Sequence, residues 1–429
     1  MKLVIVCHYF PPHNSCGVRR VLFWANFLAN NGHNITVLTS KKIKRKIRPQ
    51  HVHHSVKIID FSYGKLRKLE SGKLQDFAFA ANNKSSLFIK IATQIKRKIF
   101  NPTFGQILDP NIFSVLVTIA TLFWQNLMAN KSTRDIFDNS LILSTSPPWS
   151  MHLLGLSISK IFKLPLIIDY RDQFSENHMF GGYFGFLEKK LDIMFCKFAS
   201  KIITVSPSMK KYYSQFNNEV EIIMNGYDPQ LFWPSDVPPN EICVIRYFGS
   251  IHHKSRLPVI LFEGLKEKIR ANKQNYPKLR VEFFGDVPLV EAYLLKNPEL
   301  KEIVMIKGNL PLTGVRSLMA SADYNLMCET MEGETLSHRG VMTTKLFEYL
   351  AVQRPVLAII SPFSDVIKVL KKSGMLVGPF QSTTDILHWL ENYNLKQHDF
   401  MPNIDYITSL SRVEGAETLI KLLNQSYEN

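Results

Sequence analysis

The feature that most constrains the fold is a regular alternation of short apolar runs with helical patterns. Leu3–Cys7 is a continuous apolar run of the kind found in strands buried on both faces of a parallel sheet. Val18–Ala29 places apolar residues at helical spacing, and Asn31-Gly32 ends that pattern. Ile35–Leu38 is apolar again. The sequence therefore opens with a βαβ unit, whose crossover is expected to be right-handed.

The alternation continues along the chain and is interrupted by residues 233–240 (WPSDVPPN), which read as a linker. We therefore predict an α/β protein with two facing Rossmann-like, doubly wound domains, residues 1–232 and 233–404, and a cleft between them. A last helix within residues 405–429 can pack on either domain, including back on the first. The further predicted strands are Ser140–Leu143, Leu166–Asp169, Ile202–Val205, Cys243–Phe248, Leu279–Phe284, Ile303–Ile306, Tyr324–Cys328 and Val356–Ile360.

The net charge and the cysteine spacing restrict the possible binding partners and the cellular compartment. The chain has 52 Lys and Arg against 36 Asp and Glu, a formal net charge of +16 that attracts phosphates, lipid headgroups or nucleic acid. Helix-turn-helix and RNA-motif signatures are absent from the sequence, so nucleic acid is not the expected partner. The five cysteines are dispersed without metal-type spacing, which is typical of free thiols in a reducing compartment. We expect a cytoplasmic protein without a signal peptide.

Two segments of the sequence are candidates for contact with a membrane. The charge-free stretch Ile112–Met128 contains several polar residues and is shorter than the about 20 apolar residues of a span, so we interpret it as a buried or interfacial helix. Upstream, an apolar stripe is flanked by Lys90, Lys96, Arg97 and Lys98. It predicts either an interfacial helix on anionic lipid or a basic surface helix on a core. The first alternative implies peripheral contact with the inner face of the cytoplasmic membrane. The stripe comprises Phe88, Ile91, Ala92, Ile95 and Ile99.

Ligands of doubly wound sheets bind outside the carboxyl ends of the strands, so the loops there are the candidate sites. The loop His8–Arg20 leads into the first helix, and Gly17 presents backbone amides at its positive end. In Arg339–Leu350 a polar glycine loop leads into a helix, so the amides at Val341–Thr344 are expected to face an anion. Glu348, one turn inside, can accept two hydrogen bonds from a ribose diol. Alternatively, it is a carboxylate favoured near a helix start.

In these and further motifs the chain resembles the family-four glycosyltransferases of the GT-B type, a retaining group that builds bacterial surface polysaccharides and lipopolysaccharide. The resemblance covers nearly the whole chain, is weakest from about His51 to Asn139, and depends on the order of the motifs. The matching segments are Tyr9–Pro12 with Gly17, Asn31–His33, Ile35–Thr39, Ser144–Pro148, Asp169–Asp172, Ile203–Ser206 and Asn225–Asp228.

The resemblance implies a role for each candidate residue. The product is expected to keep the anomeric configuration, and the nucleotide sugar is a substrate, with no cofactor and no metal because Asp-x-Asp is absent. The acceptor is expected to be a saccharide or a lipid-linked saccharide. Catalytic roles fall to Arg171, Asp172 and Arg256, although a structural Arg–Asp pair is an equal alternative for Arg171 and Asp172. Donor binding falls to Gly17, Arg20, Gly249, Lys254, Arg256, Thr343, Thr344, Lys345 and Glu348. For Lys254, a solvated surface lysine is an equal alternative.

At one position the chain departs from the family. The family's pattern has an earlier glutamate that contacts the donor sugar, and Gly340 stands there instead. Glu332 or Glu334 can reach in from the same loop, although a solvated loop acid is the simpler interpretation of each. Two alternatives therefore stay open: an inactive relative of these transferases, and a sugar-nucleotide epimerase with the same fold.

Overall fold

The computed structural model describes residues 1–13, 15–40, 51–61, 67–69, 109, 111–179, 184–235, 240–271, 279–392 and 400–428. The chain divides into two compact units. Unit 1 comprises Met1–Met224 and Gly415–Asn429, and unit 2 comprises Asn225–Glu414. The boundary after Met224 falls eight residues before the predicted one after residue 232, and unit 2 extends to Glu414 rather than to the predicted residue 404. The upstream stripe at Phe88–Ile99 lies outside the described residues.

Unit 1 is built on an eight-stranded sheet of order β4-β3-β2-β1-β5-β6-β7-β8. All neighbouring strands pair in parallel except β3 and β4, which are antiparallel. The strands are β1 (Lys2–Cys7), β2 (Asn34–Thr39), β3 (Lys57–Asp60), β4 (Arg67–Leu69), β5 (Ser140–Ser146), β6 (Leu166–Tyr170), β7 (Lys201–Thr204) and β8 (Val220–Ile222).

The central strand β1 owes its position to its continuous apolar sequence. Leu3, Ile5 and their neighbours are fully buried, since β2 and β5 flank the strand and helices cover the sheet. One core combines β1 and β2 with the helices Cys16–Asn30 and Arg412–Glu428, so the end of the chain packs in unit 1. The other helices of unit 1 are Ile112–Leu127, Lys131–Phe137, Ser150–Phe162, Gly185–Phe198 and Pro207–Tyr213.

Unit 2 is built on a sheet of six parallel strands in the order β11-β10-β9-β12-β13-β14. Its strands are β9 (Cys243–Phe248), β10 (Leu279–Phe284), β11 (Val304–Gly308), β12 (Tyr324–Cys328), β13 (Val356–Ile359) and β14 (Leu376–Val377). Its α-helices are Val259–Ala271, Pro288–Lys296, Leu312–Ala320, Leu336–Gly340, Thr344–Ala351, Asp365–Ser373, Thr383–Asn392 and Ile404–Ser409. The segments Lys254–Arg256 and Pro298–Glu302 form 3-10 turns.

The predicted α/β architecture of two doubly wound sheets is confirmed. The strands that the sequence did not predict are short: Lys57–Asp60, Arg67–Leu69, Val220–Ile222 and Leu376–Val377. In the part of the chain that the structure describes, no single helix is long and apolar enough to cross a membrane. The helices Ile112–Leu127 and Lys131–Phe137, bent by 110°, meet the length and composition of a span when they are taken together.

Candidate active site

At the carboxyl edge of unit 2, the loops after β9 and β10 lie against each other at two glycines. The Gly249 amide donates to the Phe284 carbonyl at 2.8 Å. Gly285 has φ +131°, and a Cβ there would lie 2.1 Å from the Gly249 carbonyl oxygen. A side chain at Gly285 is therefore excluded both by its φ and by this close approach. Gly249, a predicted donor-binding residue, is exposed at this edge with φ +135°.

The loop after β9 continues into the 3-10 turn Lys254–Arg256, which carries the predicted phosphate-binding side chains. Arg256 Nε donates to Glu329 Oε2 at 2.7 Å. The Arg256 side chain is 26% exposed, whereas that of Glu329 is 3% exposed. Lys254 is exposed on the same turn. The structure thus supplies a buried carboxylate that anchors Arg256, which the sequence argument did not foresee.

Glu329 lies between two cations. Its Oε1 is 3.7 Å from Lys345 Nζ, and Lys345 Nζ donates to the Tyr247 hydroxyl at 2.8 Å. The Lys345 ammonium also lies 4.3 Å from the centroid of the Tyr247 ring, within reach of a cation–π interaction. Burial raises the pKa of Tyr247, and Lys345 acts in the opposite direction. We call Tyr247, Arg256, Glu329 and Lys345 the cation cluster; it holds two cations and one carboxylate.

The cation cluster adjoins the start of the helix Thr344–Ala351, because Lys345 belongs to the first turn of that helix. Thr343 is the N-cap residue, and its side chain makes no capping hydrogen bond. The first amides of a helix lack intrahelical partners and carry a partial positive charge. Asn225 Nδ2 donates to the Met342 carbonyl at 2.8 Å and so supports the loop ahead of the helix. Positive charge from side chains and from a helix end therefore converges here.

The acids around this helix differ from the expectation in one respect. Glu348 is 5% exposed and lies one turn inside the helix, as the sequence predicts. Gly340 is buried at the end of the helix Leu336–Gly340, so part of the predicted glycine loop is helical. Glu332 is exposed and pairs with His338 at 3.0 Å, and Glu334 is exposed. The acid that contacts the cations is Glu329, which directly follows β12 and is recognisable in the sequence only by that position.

In unit 1, Arg171 joins three of the loops that carry the sequence resemblance. Its Nη1 donates to the Gly17 carbonyl at 2.6 Å, its Nε to Ser146 at 2.9 Å and its Nη2 to Pro147 at 3.2 Å. Arg171 is 9% exposed, and among the described residues it forms hydrogen bonds to carbonyl oxygens and no ion pair. Its positive charge is held by dipoles at the carboxyl edge of the sheet, where it can act on an anion.

Arg20, a predicted donor-binding residue, is buried beneath this edge. Its guanidinium bonds both carboxylate oxygens of Asp169, at 2.9 and 3.3 Å, and donates to the Met224 carbonyl at 2.8 Å. Thr145 Oγ1 donates to the same carboxylate at 2.8 Å. These contacts account for the burial of Arg20, which is 4% exposed, and they support the loop after β6.

Gly17 and Asp172 lie beside Arg171. Gly17 is in the first turn of the helix Cys16–Asn30, and a Cβ there would lie 3.0 Å from the Tyr9 ring and 3.3 Å from Arg171 Nη1. Asp172, the next residue after Arg171, is exposed. The structure thus places Gly17, Arg171 and Asp172 together at the carboxyl edge of unit 1. In the described ranges no group of three or more His, Cys, Asp or Glu side chains is arranged to hold a metal ion.

No protein-family model and no curated protein sequence matches the chain. Among solved structures, sucrose-phosphate synthase from Thermosynechococcus elongatus has a TM-score of 0.64 at 12% identity, covering 100% of this chain and 99% of that chain. HepE from Anabaena, in complex with UDP and glucose, has a TM-score of 0.59 at 13% identity, covering 99% and 100%. The lipopolysaccharide outer core galactosyltransferase WaaB has a TM-score of 0.56 at 11% identity, covering 99% of each chain.

The chain has the GT-B glycosyltransferase fold. Solved structures at 11–13% identity establish this architecture over nearly the full length of the chain. In doubly wound folds ligands bind outside the carboxyl ends of the strands, so the residues at the carboxyl edges of the two sheets are the candidate ligand-binding residues.

Proposed function

We propose that the protein is a glycosyltransferase that moves a sugar from a nucleotide-sugar donor to an acceptor hydroxyl with retention of anomeric configuration. The observation that carries the proposal is the cation cluster beside the start of the helix Thr344–Ala351, at the carboxyl edge of unit 2. Two cations and a helix start form a binding site for a diphosphate. HepE, which has the same fold, was solved with UDP and glucose.

In the proposed donor complex the diphosphate contacts Arg256, Lys254, Lys345 and the first amides of the helix Thr344–Ala351, with the Gly249 backbone alongside. Glu348 accepts hydrogen bonds from the ribose diol. When the bond between the anomeric carbon and the phosphate oxygen breaks, its electron pair remains on the nucleoside diphosphate. The cations and the helix dipole stabilise that growing negative charge, which lowers the barrier to transfer.

The acceptor side of the proposal uses unit 1. Arg171 adds a positive charge at the edge of the sheet, where it donates to the Gly17 carbonyl in the first turn of the helix Cys16–Asn30. The acceptor oxygen bonds to the anomeric carbon on the face that the diphosphate leaves, and its proton passes to Asp172 or to the departing phosphate. Arg20 acts through Asp169 by holding the loop that carries Arg171. We propose a saccharide or lipid-linked saccharide acceptor in surface polysaccharide assembly, and transfer without a divalent ion.

A thermal-shift screen with UDP, GDP, CDP and dTDP, each with and without EDTA, tests the donor site. A ligand at 100 times its Kd stabilises the folded protein by about 2.7 kcal/mol, a shift that is easily measured. We expect one nucleoside diphosphate to stabilise the protein, with no effect of EDTA and a loss of the shift in Arg256→Ala. Arg354→Ala is the matched control, because this half-buried arginine of unit 2 lies beside the amino end of β13.

Radiolabelled transfer with the selected sugar nucleotide then separates the alternatives. Transfer that requires an acceptor supports the proposal, whereas an altered sugar nucleotide formed without an acceptor indicates an epimerase. If no nucleotide stabilises the protein, or if Arg256→Ala and Arg354→Ala respond alike to it, the assignment of the diphosphate site is wrong.

A further inference from the structure

The helix Ile112–Leu127 of unit 1 presents an apolar face to the outside of the molecule. Its 16 residues include no charge, and the side chains that it buries are Val115, Thr118 and Leu122. Scattered exposed apolar residues are ordinary, but a continuous row of them along a helix marks an interaction surface. We call this row the apolar stripe; it consists of Phe113, Leu116, Phe123, Trp124, Leu127 and the adjoining Met128, each between 53% and 74% exposed.

A second helix, Gly185–Phe198, adds positive charge to this side of unit 1. Its two acids, Glu188 and Asp192, are turned inward and are 2% and 0% exposed. The outward positions are therefore basic or apolar: Phe186, Leu187, Lys189, Lys190, Lys197 and Phe198. One of these lysines, Lys189, pairs with the exposed Glu176. A helix face of lysines and aromatic residues complements an anionic, partly apolar surface.

The helix Ser150–Phe162 packs against both of these helices and joins them into one layer. At its end, Lys160 Nζ lies 3.9 Å from the centroid of the Phe198 ring, and Asn126 Nδ2 donates to the Ile161 carbonyl at 3.3 Å. A groove of about 730 Å³ opens beside Phe198. Three lysines line it, of which Lys201 pairs with Glu219. The groove-lining lysines are Lys160, Lys163 and Lys201.

The apolar stripe begins at the edge of unit 1 that carries Arg171. Asp109 links the starts of two helices: one carboxylate oxygen accepts from the Asn111 amide at 2.8 Å, and the other accepts from the Ser150 amide at 3.0 Å. Ser150 follows the Ser146-Pro147 carbonyls to which Arg171 is bonded. Phe113 therefore lies at the end of the stripe nearest the proposed acceptor chemistry.

We propose that unit 1 docks on an anionic lipid bilayer through the apolar stripe and the outward lysines of Gly185–Phe198. The apolar side chains enter the boundary between headgroups and acyl chains, while the lysines and the groove contact lipid phosphates. The helix Ile112–Leu127 starts beside Ser150, near the edge that carries Arg171, and ends near the groove at the amino ends of β6 and β7. The proposed contact therefore extends along the side of unit 1 and approaches the Arg171 edge at Phe113. The docking itself does not depend on the proposed transferase activity; its use, delivery of a lipid-linked acceptor, rests on that proposal.

Flotation of the full-length protein with vesicles tests the docking. We expect binding to vesicles of phosphatidylglycerol and phosphatidylcholine, weaker binding to phosphatidylcholine alone, and release as NaCl is raised. Phe113→Glu and Trp124→Glu are each expected to weaken vesicle binding by about tenfold or more. Leu295→Glu in unit 2 is the matched control with unchanged binding, because Leu295 and Phe113 are both 74% exposed.

Equal vesicle binding by the wild type and both stripe variants, or no binding by the wild type, would overturn the proposal. Two other occupants of the stripe would also overturn it. If another part of the same chain covers the stripe, both variants unfold at lower temperature without lipid, whereas Leu295→Glu does not. If a second copy covers it, the wild type is a dimer in solution and the variants are monomers. Nucleotide thermal shifts measured without vesicles report separately on the proposed function, and the stripe variants are expected to leave them unchanged.

Discussion

Glu329→Gln is the most informative single change in unit 2. Glu329 is 3% exposed, bonds Arg256 at 2.7 Å and lies 3.7 Å from Lys345, so its charge offsets one of the two cations. Glutamine has the same size and retains an oxygen that accepts from Arg256, but it carries no charge. The local charge of the cation cluster therefore rises by one unit while its shape is kept.

The expected effects on stability and on binding have opposite signs. Glutamine keeps the hydrogen bond from Arg256 but removes the negative charge from it. We expect this to cost about 1.5 kcal/mol of unfolding free energy, the lower end of the range for hydrogen bonds to charged groups, because solvent reaches the partly exposed Arg256. For a phosphate about 6 Å from the Glu329 carboxylate, removal of the carboxylate charge improves the binding free energy by about 0.7–3 kcal/mol at effective dielectric constants between 80 and 20. We take a gain of about 1 kcal/mol in binding free energy, near the lower end of this range, because Arg256 is 26% exposed and solvent raises the effective dielectric constant there. This corresponds to about fivefold tighter binding of the nucleoside diphosphate.

Isothermal titration calorimetry at low and at physiological salt measures the binding, and denaturant unfolding measures the stability. Glu282→Gln is the matched control: Glu282 also bonds an arginine, Arg246, at 2.7 Å, and both side chains are less than 10% exposed. Glu282 lies inside the sheet, on β10. Its variant is expected to lose about 3–5 kcal/mol of unfolding free energy as a broken buried pair. Its affinity for the diphosphate is expected to change by less than about twofold.

The reasoning is refuted if Glu329→Gln binds the nucleoside diphosphate with the wild-type Kd at both salt concentrations. In that case the carboxylate and the diphosphate do not share the same cations. Weaker binding by Glu329→Gln, with Glu282→Gln unchanged, would show instead that the carboxylate acts by holding Arg256 in position, and the predicted sign would be wrong.

Gly17→Ala should keep the unfolding free energy within about 1 kcal/mol of the wild-type value, because the higher helix propensity of alanine offsets the 3.0 Å contact with Tyr9. It should nevertheless slow transfer about tenfold by shifting the loop. A transfer rate equal to that of the wild type would contradict this. Arg171→Lys should lower the unfolding free energy by about 1–3 kcal/mol, since one ammonium cannot span three carbonyls, and should also slow transfer. Unchanged stability together with an unchanged transfer rate would contradict the anchoring role of Arg171. Burial raises the pKa of Asp192 from 3.8 to about 6. The stability contributed by its protonated form is therefore fully present below pH 3.8 and is lost as pH rises through 6. By pH 7 the loss is on the order of 3 kcal/mol of unfolding free energy. Measured by denaturant unfolding, the unfolding free energy of Asp192→Asn should therefore rise progressively relative to that of the wild type from pH 4 to 7. The same pH dependence in both proteins would disprove this prediction.

Much of the fold follows from local patterns in the sequence. Strand β1 and the helix Cys16–Asn30 were predicted to within two residues at each end, because an apolar run or a helical period is set by residues that are neighbours in the chain. Short edge strands such as Leu376–Val377 escaped prediction, since two or three residues carry too little periodicity and depend on the strand beside them.

For the site, the sequence by itself determined which residue types end the strands and start the helices: Gly17, Arg171, Arg256 and Glu348 stand at such positions. Only the tertiary structure decided their partners. Glu329 meets Arg256 across 73 residues, and Arg171 meets the Gly17 carbonyl across 154. The same holds for the apolar stripe, whose sequence is as apolar as a core helix; which face stays exposed was decided by packing against Ser150–Phe162. Local propensity acts between near neighbours, whereas ion pairs and burial depend on which distant elements the sheet order brings together.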